Sequence, residues 1–142
     1  MMKEDNLQRF IDAQEKAYAT ALSEIKKGRK QSHWMWFIFP QIRGLGFSST
    51  SQYYGIKNIQ EASEYLNHEL LGQRLVGISI ELLAADTGDA HQIFGSPDDL
   101  KLKSSMTLFS AVEHADPVFQ KVLDKFFNGG KDQLTLQLMG KV

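Results

Sequence analysis

Cysteine is absent from this 142-residue chain. Disulfides, thiolate metal sites and cysteine nucleophiles are therefore excluded, and such a composition fits a reducing compartment. Proline is scarce, with three residues, and no apolar run is long. The most hydrophobic stretch, residues 34–39, falls far short of the roughly 20 residues that span a bilayer. No charge predominates either: 16 basic and 17 acidic residues give a net charge of −1, with both signs mixed along the chain. That balance argues against bulk nucleic acid or an anionic membrane as the main partner. The start, Met1-Met2-Lys3-Glu4-Asp5-Asn6, is polar and lacks the apolar core and small-residue cleavage site of a secretory leader. The expectation is one soluble, cytoplasmic domain over residues 1–142, long enough to bury a sizeable core without staples.

Against this even background one stretch concentrates the aromatic mass. It runs Ser32-His33-Trp34-Met35-Trp36-Phe37-Ile38-Phe39-Pro40-Gln41 and is followed by Arg43-Gly44-Leu45-Gly46. Both tryptophans and two of the nine phenylalanines fall within six positions. Aromatic surface of this size must be buried against something. The polar residues at its edges, His33 at the head and Arg43 at the tail, are then held in place.

The remaining pattern is helical. Leu7, Phe10, Ala17, Tyr18, Ala21, Leu22 and Ile25 form a stripe over residues 5–27, with Asp5 or Asn6 as cap, Gly28 as stop and a gap at Gln14 that predicts an exposed middle. Residues 32–39 read as a short helix capped by Ser32 and ended by Pro40, because no second strand-like run stands nearby to pair with it. A loop over residues 41–49 precedes a helical turn over 50–54. Asn58 with Glu61 has the form of a capping box, and a further helix runs over about 70–85. Residues 90–94 make one turn. Ser96-Pro97-Asp98-Asp99 reads as N-cap, N1 proline and two first-turn acids, and Asp116-Pro117 repeats the device. Asp132 caps a last short helix. The expected fold is an all-α domain of about seven helices with an aromatic-rich core. One internal echo, His68-Glu69-Leu70-Leu71-Gly72 and His91-Gln92-Ile93-Phe94-Gly95, has two copies, below the three that a stacked array needs.

Residues 32–42 with Gly44-Leu45-Gly46, Ser51, Tyr54 and Ile56, and the later blocks Ile93-Phe94-Gly95, Asp98-Asp99-Leu100-Lys101-Leu102 and Ser104-Ser105-Met106-Thr107-Leu108-Phe109, resemble a small bacterial family of uncharacterised function. The likeness spans nearly the whole chain. It implies a compact, mainly helical protein and carries no reaction with it. Some members bear the loose label "calpastatin". Calpastatins are long disordered inhibitors, whereas this chain has the composition of a folded domain and lacks their proline-rich segments.

Several groups of residues have the chemistry of a site. His33 beside Trp36 and Phe37 is a candidate proton carrier against an aromatic wall, or a residue that merely orders the start of the aromatic helix. The glycines and hydroxyls after Arg43 suit an anion but form neither a Walker loop nor a dinucleotide fingerprint, and also suit a tight structural loop. Lys101 and Ser105, four apart with Ser104 adjacent, share a helix face. They lack the Ser-x-x-Lys order of an acylating serine, and the serines equally serve close helix contact. Ser51 and Tyr54 complete a rim. The basic run over residues 26–30 reads as a solvated helix end. Asp86, Asp89 and His91 are weak metal candidates, since none of the four histidines has zincin spacing. No metal or cofactor is predicted. Two functions remain open. In the first, His33, Trp36, Arg43, Ser51, Tyr54, Lys101 and Ser105 converge on a pocket for a small polar or phosphate-bearing ligand, with His33 as acid–base catalyst. In the second, the protein is a non-catalytic interaction module whose apolar groove takes a partner helix. In the first, Arg43 and Lys101 face each other across a hollow; in the second they point to water.

Overall fold

Six consecutive residues, 104–109, are buried, so the helix that carries them has no exposed face over that stretch and lies at the centre of the molecule. In this computed structural model the backbone is described for residues 2–140 and the side chains for residues 7–140. The order of helices among the described residues is α1 (Met2–Lys27), α2 (Met35–Ile38), α3 (Ser49–Tyr53), α4 (Ile59–Asn67), α5 (Glu69–Leu83), α6 (Ala90–Phe94), α7 (Asp98–Ser110), α8 (Val118–Phe127) and α9 (Gln133–Leu138). The central helix α7 packs on α4, α6, α8 and α9, while α5 lies between α1, α4 and α8. A chain of rings, Phe10, Tyr65, Phe109 and Phe119, runs through the core with centroids 5.1–5.9 Å apart.

The all-helical single domain is as expected, but among the described residues nine helices replace about seven. The short elements α3 and α6 stand as helices of their own because each has a side-chain cap. Ser48 accepts from the Ser51 N–H, and Asp89 from the His91 N–H. Asn58 and Asp132 also cap as their positions predict, accepting from the Glu61 and Thr135 N–H groups. Asp116 does not hold the cap position of α8: Pro117 does, and the Asp116 carboxylate accepts from the Val118 N–H from one residue further out. The other end of α5 is closed from outside: the Lys125 ammonium donates to the carbonyls of Leu82, Leu83 and Ala85 at 2.7–3.1 Å.

Further expectations are corrected. The helix α1 starts at Met2, upstream of Asp5 and Asn6, whose side chains lie outside the described residues. Its middle is not exposed: Gln14 is buried, donates to the Phe37 carbonyl and the Tyr65 hydroxyl, and accepts from Arg74. A fully bonded amide breaks the apolar stripe without leaving the core. Ser32 does not cap α2, because its hydroxyl is drawn to Glu24 instead. Ser96 does not cap α7 either. Pro97 itself holds the cap position after a cis Ser96–Pro97 bond, and the Gly95 carbonyl takes the Asp99 N–H. The histidine echo is no structural repeat, since His68 caps α5 through Nδ1 whereas His91 lies inside α6.

Candidate ligand pocket

The aromatic block is fastened at one point. The buried Glu24 carboxylate on α1 accepts from the Gln31 and Ser32 N–H groups, the Ser32 hydroxyl and the Trp34 indole N–H, at 2.6–3.0 Å. Burial alone would raise its pKa; the four hydrogen bonds outweigh that and hold it down to about 2. Trp34, 1% exposed, then packs with Phe39 and Phe94. With Trp34 fixed inward, Trp36 two residues later is turned to the other side of the block and is only half-buried.

Opposite Trp36 lies the segment over residues 41–56. It is closed on itself by a short parallel bridge, in which the Arg43 N–H donates to the Ile56 carbonyl and the Ile56 N–H to that of Gln41. Two glycines allow the loop to fold this tightly. A Cβ at Gly55 would sit 2.8 Å from that of Arg43, and one at Gly46 would sit 2.8 Å from the Ser51 hydroxyl. The closed loop carries Ser51 and Tyr54 to the side of Trp36, and Tyr54 packs on Phe37 at 5.3 Å.

A hollow of about 210 Å³ results, walled by Trp36, Ser51, Tyr54, Lys101, Ser104 and Asp132, with Leu45, Leu100 and Leu134 among its apolar lining. Lys101 Nζ stands 4.5 Å from the Trp36 ring centre, a cation–π contact, and 3.3 Å from Asp98. Asp98 is in turn held at 2.9 Å by Lys30, a nearly buried lysine that also donates to the Ser32 carbonyl. Burial raises the Tyr54 pKa, and neighbouring Tyr53 adds to the rise, so Tyr54 remains a neutral phenol at physiological pH. The Asp132 carboxylate is engaged by the Thr135 N–H and hydroxyl at the start of α9.

The sequence candidates thus divide. Trp36, Ser51, Tyr54 and Lys101 line the hollow together. Arg43 does not: it is exposed and lines a second, open cleft of about 520 Å³ with Arg9, Asp12, Tyr53, Lys57 and Glu61. The wall between the two is the Gly55 backbone, whose carbonyl accepts from Arg9 at 3.0 Å and from Arg43 at a long 3.5 Å. Ser105 points into the core, where its hydroxyl is buried without a partner, and it is Ser104 that reaches the hollow. His33 is exposed and lines neither space. Asp89 spends its carboxylate as a cap and His91 faces Asp99, and no group of three metal-binding side chains gathers among the described residues. From the sequence Lys30 reads as part of a solvated helix end and Asp98 as a first-turn acid, neither of them at the site. The only trace of their role is the i,i+3 spacing of Asp98 and Lys101.

The fold and hollow define a class: an all-helical, single-domain protein with an aromatic-walled pocket, and with no helix among its described residues long and apolar enough to cross a membrane. The chain belongs to the family described as protein of unknown function, DUF1810, which it matches over residues 4–139. It is also similar to a solved structure, that of the conserved hypothetical protein Rv1873 from Mycobacterium tuberculosis. The two are 44% identical, with a TM-score of 0.93 over 95% of this chain and 96% of that one. No curated protein matches it.

Proposed function

We propose that the protein binds a small polar or phosphate-bearing ligand in the hollow beside Trp36, in the cytoplasm. The observation that carries this reading is Lys101. In an interaction scaffold that lysine would extend into water. Here its side chain is 24% exposed and lies over an aromatic ring in the wall of a cavity. The ammonium has three donors, and one faces Asp98. Hydroxyls from Ser51, Tyr54 and Ser104 surround the same space, the mixture of apolar walls and a few convergent polar groups that ligand sites share. The reading is one of binding. Acid–base catalysis by His33 is left out of it, since that residue does not line the hollow.

The test is a thermal-shift screen of nucleotides, sugar phosphates and small carboxylates. A ligand at 100 times its Kd stabilises the folded state by about 2.7 kcal/mol. The expected result is a rise in Tm for at least one class, lost in Lys101→Met and in Trp36→Ala. A panel in which no member raises the Tm removes the basis of the reading.

A further inference from the structure

The large hydrophobic side chains that remain exposed are not scattered. There are six among the described residues: Phe47, Tyr53, Ile80, Leu100, Leu134 and Leu138. Leu100, 61% exposed, and Leu134, 49% exposed, line the hollow itself. Phe47, 87% exposed, directly follows the lining residue Gly46. Leu138 covers Gly44 in the same loop, where a Cβ would touch it at 3.4 Å. Tyr53, edge-on to Tyr54, faces the second cleft instead. Only Ile80, on α5, belongs to an element that does not border this mouth. Single exposed apolar residues are ordinary, but four gathered on the segments around one opening mark a surface that expects apolar contact.

The interior of the hollow has a different character. Lys101 is the one cation among its lining residues. Asp98 divides between Lys30 at 2.9 Å and Lys101 at 3.3 Å, and the lining residue Asp132 keeps its negative charge while Thr135 donates to it, so the hollow holds no surplus of positive charge for a dianion. A single positive charge balances a carboxylate more closely than a phosphate, which carries about −1.5 to −2 at neutral pH. The volume is also small. About 210 Å³ lies below the roughly 300–1,000 Å³ of sites that swallow a drug-sized molecule. It suits the charged end of a ligand whose remainder rests outside, on the rim.

We infer that the ligand is a small organic carboxylate with an apolar body, its carboxylate at Lys101 and its body across Leu100, Leu134 and the neighbouring rim. This rests on the binding reading above and narrows it. The test is calorimetric titration of the full chain with phenylacetate and hexanoate, against acetate (the head without a body), hexanol (a body without charge) and glycerol phosphate. Phenylacetate and hexanoate are expected to bind at least tenfold more tightly than the other three. Leu100→Asn with Leu134→Asn is expected to weaken phenylacetate at least tenfold. Both leucines are largely exposed, so the double variant keeps the fold, which its unliganded Tm checks. Lys101→Met is expected to abolish the preference for hexanoate over hexanol. Equal binding of acetate, hexanol or glycerol phosphate overturns the inference, as does unchanged phenylacetate binding by the leucine variant. In the case of glycerol phosphate the broader reading still stands. If none of the five probes binds, the inference falls alone, because nucleotides and sugar phosphates still decide the broader reading.

Discussion

Trp34 and Trp36 are two residues apart in the same aromatic block and have opposite fates. Trp34 is enclosed, its indole N–H bonded to Glu24 and its ring packed on Phe39 and Phe94. Trp36 is half-buried, its side chain makes no hydrogen bond within the described chain, and its ring receives a lysine ammonium at the edge of a cavity. What separates them is a single acid. Glu24 collects four donors from residues 31–34 and fixes which side of the block turns inward. Composition marks where the aromatic mass lies; the buried carboxylate decides which ring becomes core and which becomes wall.

That contrast can be broken by substitution. Trp34→Ala is expected to cost about 3–5 kcal/mol, the range for emptying a fully buried aromatic site, while Trp36→Ala, at a half-buried ring, costs about 2 kcal/mol or less. Urea denaturation of the two variants checks this, and equal losses would show that the two rings are not distinguished as described. Glu24→Gln is expected to cost about 2–3 kcal/mol, since it removes a charged acceptor from donors that stay buried. Acid provides the same test without mutation. The depressed pKa of Glu24 stabilises the fold above its ordinary value near 4.5, and that contribution is lost as pH falls from 4.5 towards 2. Glu24→Gln should therefore flatten the pH dependence of stability over that window; an unchanged acid slope would assign it to other carboxylates. The smallest effect is expected at Arg43. Arg43→Ala should change stability by no more than about 0.5 kcal/mol and leave ligand binding in the Trp36 hollow unaltered, because the Gly55 backbone stands between them. A loss of binding in that variant would mean that the two spaces act as one.

Much of the helical framework was legible because its signals are local. Asn58 with Glu61, Asp132 with Thr135 and Gly28 after Lys27 each specify a helix end within four residues, and each is found there. Several of the readings that failed depended on distant partners. Ser32 has the chemistry of a cap, but Glu24, eight residues earlier, is the stronger attraction for its hydroxyl. Gln14 looked like an exposed gap until Phe37 and Tyr65 supplied its bonds from across the core. Lys30 read as part of a solvated basic run, yet Asp98 and the Ser32 carbonyl hold it almost buried. The candidate site divided in the same way. Trp36, Ser51, Tyr54 and Lys101 come together, while Arg43 is turned away by the bridge between Ile42 and Ile56, which joins residues 14 positions apart in the chain and has no local signature.

The two indole N–H groups make the sharpest probe, because a nitrogen-15 correlation spectrum shows them as separate signals. On titration with the anion panel, the Trp36 indole signal should move saturably with the binding member while that of Trp34, held by Glu24, stays in place. If every member of the panel leaves Trp36 unmoved, or if the two signals move together, the hollow beside Trp36 is not the binding site.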